Sequence, residues 1–124
     1  MTNVIVVDDD LANTTLIKML LELDGFTVGA YATVEEAKKK AAADTDAFVV
    51  DYYLARGANG LELLHAVRNS ETAAPAQTAF IITSGDYRRE DDALEAGADR
   101  FLFKPYPPET LSKEIEKLLN RGDK

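Results

Sequence analysis

The chain has 124 residues, no cysteine, 46% hydrophobic and 29% charged residues, and a formal net charge of −8. Its length suits one domain, so we expect a single domain over residues 1–124 with no output domain. The negative charge opposes direct nucleic-acid binding, and no apolar stretch reaches the ~18 residues of a membrane span. Without cysteines there are no disulfides or thiolate metal sites, and without an N-terminal secretory signal we expect a cytoplasmic protein.

The first 46 residues of the chain predict two strands and two helices. A continuous apolar run at 4–7 is typical of a strand buried on both faces of a parallel sheet, whereas the alternating segment 26–31 is typical of an edge strand. The helix between them ends before Gly25, and its predicted buried face consists of Leu16, Ile17, Leu20 and Leu23. The second helix begins with Thr33 and Glu36 at the spacing of a capping box.

The chain after residue 46 predicts three more strands and three more helices. Further continuous apolar runs lie at 47–50, 79–82 and 101–103. The helices are predicted from apolar residues at Leu61, Leu64 and Val67, at Ala93 and Leu94 before Gly97, and at Leu111, Ile115 and Leu118 after Pro108. Residues 70–77 are expected to form a loop, and residues 90–92 an exposed acidic first turn of the fourth helix.

This alternation of five strands with five helices predicts a doubly wound α/β fold. Its parallel sheet is covered by helices on both faces and joined by right-handed crossovers. Five strands of this kind usually adopt the flavodoxin-like order 2-1-3-4-5, which makes the first and third strands neighbours. Ligands bind at the carboxyl ends of those two strands, where the winding direction reverses.

Polar residues follow four of the strands at that edge. They are Asp8, Asp9 and Asp10 after the first strand, Asp51 after the third, Thr83 and Ser84 at the end of the fourth, and Lys104 after the fifth. Carboxylates brought so close repel one another, and Mg²⁺ with its preference for hard oxygen ligands would relieve that repulsion. A carboxylate beside the ion can act as a nucleophile toward a phosphoryl group, whose charge a lysine and a hydroxyl can stabilise.

Four motifs carry these residues: 4-VIVVDDD-10, 48-FVVDYYL-54 with Gly60, 80-FIITSGD-86 and 96-AGADRFLFKP-105. Together they resemble the receiver domain of two-component response regulators over essentially the whole chain. The resemblance implies that Asp51 accepts a phosphoryl group from a histidine kinase or a phosphotransfer protein. It also implies that Mg²⁺ is bound by Asp9, by Asp51 and by the backbone carbonyl of Tyr53, with Asp8 assisting through a water molecule.

The same resemblance implies how phosphorylation is transmitted. Ser84 would hydrogen-bond a phosphoryl oxygen, with Thr83 the less suitable alternative, and Lys104 would pair with the phosphate. Phe101 would be the switch aromatic that turns inward, and the bond from Lys104 to Pro105 would be cis. The face formed by the fourth helix, fifth strand and fifth helix would relay the change to a downstream protein target. The chain would be a monomer or weak dimer, and no enzyme beyond self-phosphorylation and autodephosphorylation.

Three features depart from the family pattern. The interval from Ser84 to Lys104 is slightly short, so we expect a trimmed fourth helix or adjoining loop. Leu54-Ala55 replaces the usual Met-Pro, and the loop at 55–59 is one residue longer than usual. Tyr53 is bulky at a position where family members tune the loss of phosphate. We hypothesise that it shields the acyl phosphate from water and lengthens its lifetime.

Other interpretations of single residues remain open at this point. Asp10 is expected to cap the first helix, the lone His65 to be solvated, and Phe101 on pattern alone to be a core residue. A haloacid-dehalogenase-like phosphatase would use Asp8 as nucleophile and Asp10 as acid/base. However, it would leave Asp51 without a role, and the chain is short for that fold. A receiver-like adaptor that is not phosphorylated is a third alternative.

Overall fold

The computed structural model describes residues 2–120. Its strands are β1 Asn3–Val7, β2 Thr27–Tyr31, β3 Ala47–Asp51, β4 Ala79–Ser84 and β5 Arg100–Phe103. Its α-helices are α1 Leu11–Leu23, α2 Val34–Lys40, α3 Gly60–Arg68, α4 Glu90–Glu95 and α5 Pro108–Asn120, with 3₁₀ turns at Ala55–Gly57 and Tyr87–Arg89. All strand pairs are parallel in the order β2-β1-β3-β4-β5, which confirms the predicted fold. None of the helices in the described range is long and apolar enough to cross a bilayer.

The sheet separates two apolar cores, which explains why its central strands are continuously apolar. Successive residues of a strand point to opposite faces, so Ile5 and Val7 enter one core and Val4 and Val6 enter the other. The first core lies under α2, α3 and α4, and the second lies under α1 and α5. Each fully buried aliphatic side chain stabilises the fold by roughly 1.5–3 kcal/mol. The carboxyl ends of β1, β3 and β4 are therefore positioned by strands whose side chains are buried in both cores.

The predicted buried face of α1 is partly wrong. Ile17 is buried, but Leu16 is 53% exposed and Leu23 is 80% exposed. The helix instead buries Thr14, Ile17 and Leu21 against the sheet. Leucines are so frequent in this helix that two stripes at helical spacing exist, and the packing of α1 against β2 selects the one that contains Leu21.

The fifth strand is also less buried than its apolar run predicted. Within the described residues β5 pairs only with β4. It therefore lies at an edge of the sheet, where Phe101 and Leu102 are partly buried and Phe103 is 50% exposed. The edge position predicted for β2 is confirmed. An apolar run therefore marks a strand reliably here, but it does not show whether that strand is central.

The helix ends follow local sequence signals. The carboxylate of Asp10 accepts a hydrogen bond from the backbone N–H of Asn13, which confirms the predicted cap of α1. Thr33 caps α2 by accepting from the N–H of Glu36. The helix α4 has six residues and an acidic first turn, as expected for a shortened segment. His65 is exposed, as predicted.

Candidate functional site

Three carboxylates meet at the carboxyl ends of β1 and β3. These strands are paired with Val7 opposite Val50, so Asp8 and Asp51 come from neighbouring positions at one edge of the sheet. One oxygen each of Asp8, Asp9 and Asp51 lies within 4.8 Å of the others. The three carboxylates of the predicted ligand set are thus close enough to share a single cation.

The three aspartates after β1 have different surroundings. Asp8 is buried, and its carboxylate accepts hydrogen bonds from the backbone N–H of Asp10 at 2.9 Å and from Asn13 Nδ2 at 2.5 Å. Asp9 is exposed at the mouth of the cluster. Asp10 turns away to cap α1. Asp8 and Asp9 therefore belong to the cluster, whereas Asp10 has a structural role.

Lys104 faces this cluster from the end of β5. Its Nζ atom lies 3.3 Å from Asp51 Oδ2 and 3.4 Å from Asp8 Oδ2. Its backbone N–H donates to the carbonyl oxygen of Ser84, which extends the pairing of β4 and β5 up to the site. The bond to Pro105 is cis, as the family resemblance implied. The lysine thus places one positive charge against two carboxylates.

Asp51 is held in a state that favours cation binding. Burial raises the pKa of Asp51 to about 6, which Lys104 opposes and the charges of Asp8 and Asp9 reinforce. The carboxylate is therefore ionised at neutral pH at an energetic cost, and a bound divalent cation would remove that cost. The donors are all hard oxygens, and a partly open cluster leaves room for the water ligands that Mg²⁺ retains. The site fits Mg²⁺ by this chemistry.

The hydroxyl residues at the end of β4 are both buried. Thr83 lies opposite Asp51 in the pairing of β3 with β4, and Ser84 is one residue nearer the carboxyl edge. The Oγ atom of Ser84 accepts a hydrogen bond from the backbone N–H of Asp86 at 3.0 Å. Phe101, opposite Ile82 on β4, packs partly buried against the core under α4. The switch roles predicted for Ser84 and Phe101 remain predictions.

Sequence analysis missed a contact made by Tyr53. Its side chain is half exposed, and its hydroxyl donates a hydrogen bond to Asp86 Oδ2 at 2.8 Å. Asp86 is the last residue of the motif 80–86, and the sequence indicated no role for it. Because the two residues lie in different loops, no local pattern in the sequence could have paired them.

Gly60 is required where α3 begins beneath the site. A Cβ atom at this buried position would lie 2.6 Å from the backbone oxygen of Asp51 and 2.9 Å from Val50 Cγ1. We expect Gly60→Ala to lower the free energy of unfolding by about 1 to 3 kcal/mol through overpacking, as measured by urea denaturation. Gly85→Ala is the matched control, since a Cβ there meets no atom of the described chain within 4 Å beyond the two neighbouring residues. Equal stability of the two variants would contradict this account of the packing.

Comparison with known proteins agrees with this fold. The response regulator receiver domain model matches residues 4–116, so the chain belongs to that family of signalling domains, which are not classical enzymes. Chemotaxis protein CheY1 of Helicobacter pylori is 30% identical over 122 residues, covering 96% of this chain and 98% of that protein. Transcriptional regulatory protein TrcR of Mycobacterium tuberculosis is 34% identical over 120 residues, covering 96% of this chain and 46% of that protein.

The chain spans about half the length of several curated relatives it matches, TrcR and Escherichia coli CpxR among them. Among solved structures, the CheY-like receiver domain protein of Methanospirillum hungatei has a TM-score of 0.85 and 26% identity, covering 99% of this chain and 97% of that one. Chemotaxis protein CheY4 of Vibrio cholerae has a TM-score of 0.83 and 26% identity, covering 96% and 99%.

Proposed function

We propose that this receiver domain is a phosphoacceptor switch in which Asp51 takes a phosphoryl group from the phosphohistidine of a histidine kinase or phosphotransfer protein. The observation that carries the proposal is the cluster of Asp8, Asp9 and Asp51, whose oxygens lie within 4.8 Å of one another and face Lys104. Such a cluster combines a nucleophile, a place for a cation and a fixed positive charge, which are the requirements of phosphoryl transfer.

In the proposed reaction a carboxylate oxygen of Asp51 attacks phosphorus in line with the phosphorus–nitrogen bond. That bond breaks, its electron pair returns to the imidazole of the donor, and Asp51 becomes an acyl phosphate. Lys104 stabilises the charge on the transferred oxygens. Asp9, Asp51 and the Tyr53 carbonyl would hold Mg²⁺ directly, and Asp8 would hold it through water. When bound, the ion neutralises charge on the phosphoryl oxygens.

Transmission begins at Ser84 in this proposal. Its hydroxyl leaves the N–H of Asp86 and donates to a phosphoryl oxygen, and Phe101 turns into the space behind it. The face formed by α4, β5 and α5 then changes its packing, so that a local charge event alters a surface that a downstream protein contacts. We propose that the switch operates in the cytoplasm as a monomer or weak dimer.

The geometry gives less support to the two alternatives. A phosphatase that uses Asp8 and Asp10 needs both side chains at one substrate, but Asp10 caps α1 instead of joining the cluster. An adaptor that is not phosphorylated would have no use for a lysine against clustered carboxylates. Steady release of phosphate from a small ester, abolished by Asp10→Ala, would favour the phosphatase.

Small-molecule phosphorylation tests the proposal directly. Incubated with acetyl phosphate and Mg²⁺, the protein is expected to gain one phosphoryl group by intact-mass analysis, and chelation of the metal should prevent this. Asp51→Asn should gain none, because an amide is a poor nucleophile. Asp44→Asn, at an exposed aspartate seven positions earlier, should behave as wild type. Equal incorporation by Asp51→Asn and wild type would refute the assignment.

A further inference from the structure

A side-chain hydrogen bond joins the loops that follow β3 and β4. Tyr53 lies in the first loop and Asp86 in the second, and the hydroxyl of Tyr53 donates to Asp86 Oδ2 at 2.8 Å. The hydrogen bonds from Arg88 and from Tyr53 hold the pKa of Asp86 well below its usual range, so the acceptor is an anion. Hydrogen bonds to ionised acceptors are the stronger kind. We call this contact the Tyr53–Asp86 bridge.

Both ends of the bridge are anchored. The carboxylate of Asp86 also accepts from Arg88 Nε at 2.8 Å and from Arg88 Nη2 at 3.0 Å. The Tyr53 ring packs edge-on against the Tyr52 ring, with centroids 4.9 Å apart. The guanidinium of Arg89 lies 5.8 Å from the centroid of the Tyr52 ring and forms an ion pair with Asp86. With both side chains held from several sides, the bridge fixes the relative position of the two loops.

The bridge is connected to the hydroxyl that is proposed to move. Asp86 is the residue whose backbone N–H donates to the buried Oγ of Ser84. The side chain of Asp86 further accepts from the N–H of Arg88 and so caps the 3₁₀ turn Tyr87–Arg89 before α4. A contact that fixes the position of Asp86 therefore fixes its N–H, which is hydrogen-bonded to Ser84 Oγ. It also fixes the start of the segment that leads into α4.

We propose that the Tyr53–Asp86 bridge is a latch that stabilises the unphosphorylated position of the β4–α4 loop and opposes the movement of Ser84 toward the acceptor. The inference rests on the proposed function and separates two roles of Tyr53. Its ring can shield the acyl phosphate, whereas its hydroxyl holds the loop. Removing a hydrogen bond made only in one of two states shifts the equilibrium toward the other, here by about fivefold.

The first test uses the metal-free, unphosphorylated protein. Amide hydrogen exchange at Asp86 and Arg88, followed by NMR, is expected to be about fivefold faster in Tyr53→Phe than in wild type. Tyr87→Phe is the control, because it removes an exposed hydroxyl from the same loop and retains the ring that contacts Phe103. Exchange in the control should equal that of wild type. Unchanged exchange in Tyr53→Phe would overturn the latch.

The second test measures phosphorylation by acetyl phosphate in Mg²⁺. Tyr53→Phe is expected to gain its phosphoryl group about fivefold faster than wild type and Tyr87→Phe. Tyr53→Asn, which also lacks the ring, is expected to lose phosphate faster than Tyr53→Phe. Faster exchange without faster phosphorylation would reduce the bridge to a structural contact and overturn the proposal. If wild type gains no phosphate, the proposed function fails, and the exchange measurement alone still decides whether the bridge holds the loop.

Discussion

Arg68→Ala is expected to lower the free energy of unfolding by about 1.5 to 3 kcal/mol, the cost of removing the charged donor from a partly buried hydrogen-bond network. The side chain of Arg68 is 22% exposed, and its guanidinium lies 5.9 Å from the centroid of the Phe80 ring. It joins the C-terminal end of α3 to the loops that precede β4 and β5. These loops lie at the edge of the sheet opposite the acidic cluster. Its hydrogen bonds run to the carbonyl oxygens of Ala76, Thr78 and Gly97 and to the carboxylate of Asp99.

Urea denaturation of variants at this position would check that expectation. Arg68→Lys should recover only a small part of the loss, because an ammonium group cannot reach carbonyls in several directions. Lys113→Ala, at an exposed cation on α5, should change stability by less than about 0.5 kcal/mol. If Arg68→Ala were as stable as the Lys113 variant, the network would be incidental to the fold.

Asp51→Asn is expected to stabilise the metal-free protein by about 1 to 3 kcal/mol at pH 8, since each unit of pKa shift corresponds to about 1.4 kcal/mol. Burial raises the pKa of Asp51 from its ordinary 3.8 to about 6. Between these values the folded protein keeps a proton that the unfolded chain has lost. The stability of wild type therefore falls as pH rises through this range and is constant above it. The difference in the free energy of unfolding between Asp51→Asn and wild type should become smaller as pH falls toward 4.

Magnesium provides the second half of this prediction. Binding to the folded state alone stabilises it by mass action, so Mg²⁺ should raise the melting temperature of wild type at pH 8. Asp51→Asn lacks one of the proposed ligands, so Mg²⁺ should raise its melting temperature by less. The stability difference between the variant and wild type should therefore become smaller or change sign when Mg²⁺ is present. If Asp51→Asn were less stable than wild type in EDTA at pH 8, ionised Asp51 would not destabilise the metal-free fold. If Mg²⁺ stabilised the variant and wild type equally, Asp51 would not be a metal ligand.

The order of the strands and the cluster of aspartates could be predicted because both depend on simple rules. Central parallel strands are apolar throughout, and the residues that follow them must meet at one edge of the sheet. Asp8 and Asp51 are 43 positions apart in the sequence, yet the pairing of β1 with β3 alone is enough to bring them together. Local signals likewise predicted that Asp10 caps α1.

The remaining features depend on tertiary packing that sequence patterns do not encode. The buried stripe of α1 was misassigned because leucines occupy two faces of that helix. Burial of Phe103 was overestimated because an apolar run does not reveal that β5 lies at an edge. The contact of Tyr53 with Asp86 and the hydrogen bonds of Arg68 join segments far apart in sequence, and only the positions of the loops bring those groups together.

The most direct measurement locates the phosphoryl group. Borohydride reduces an aspartyl phosphate to homoserine, and peptide mass spectrometry then identifies the reduced residue. After labelling with acetyl phosphate and Mg²⁺, tryptic peptide 41–56 should carry homoserine at position 51, with Asp44 and Asp46 of the same peptide intact. Reduction at Asp8 or Asp9 in peptide 1–18, or an unmodified Asp51, would contradict a switch built on this acceptor.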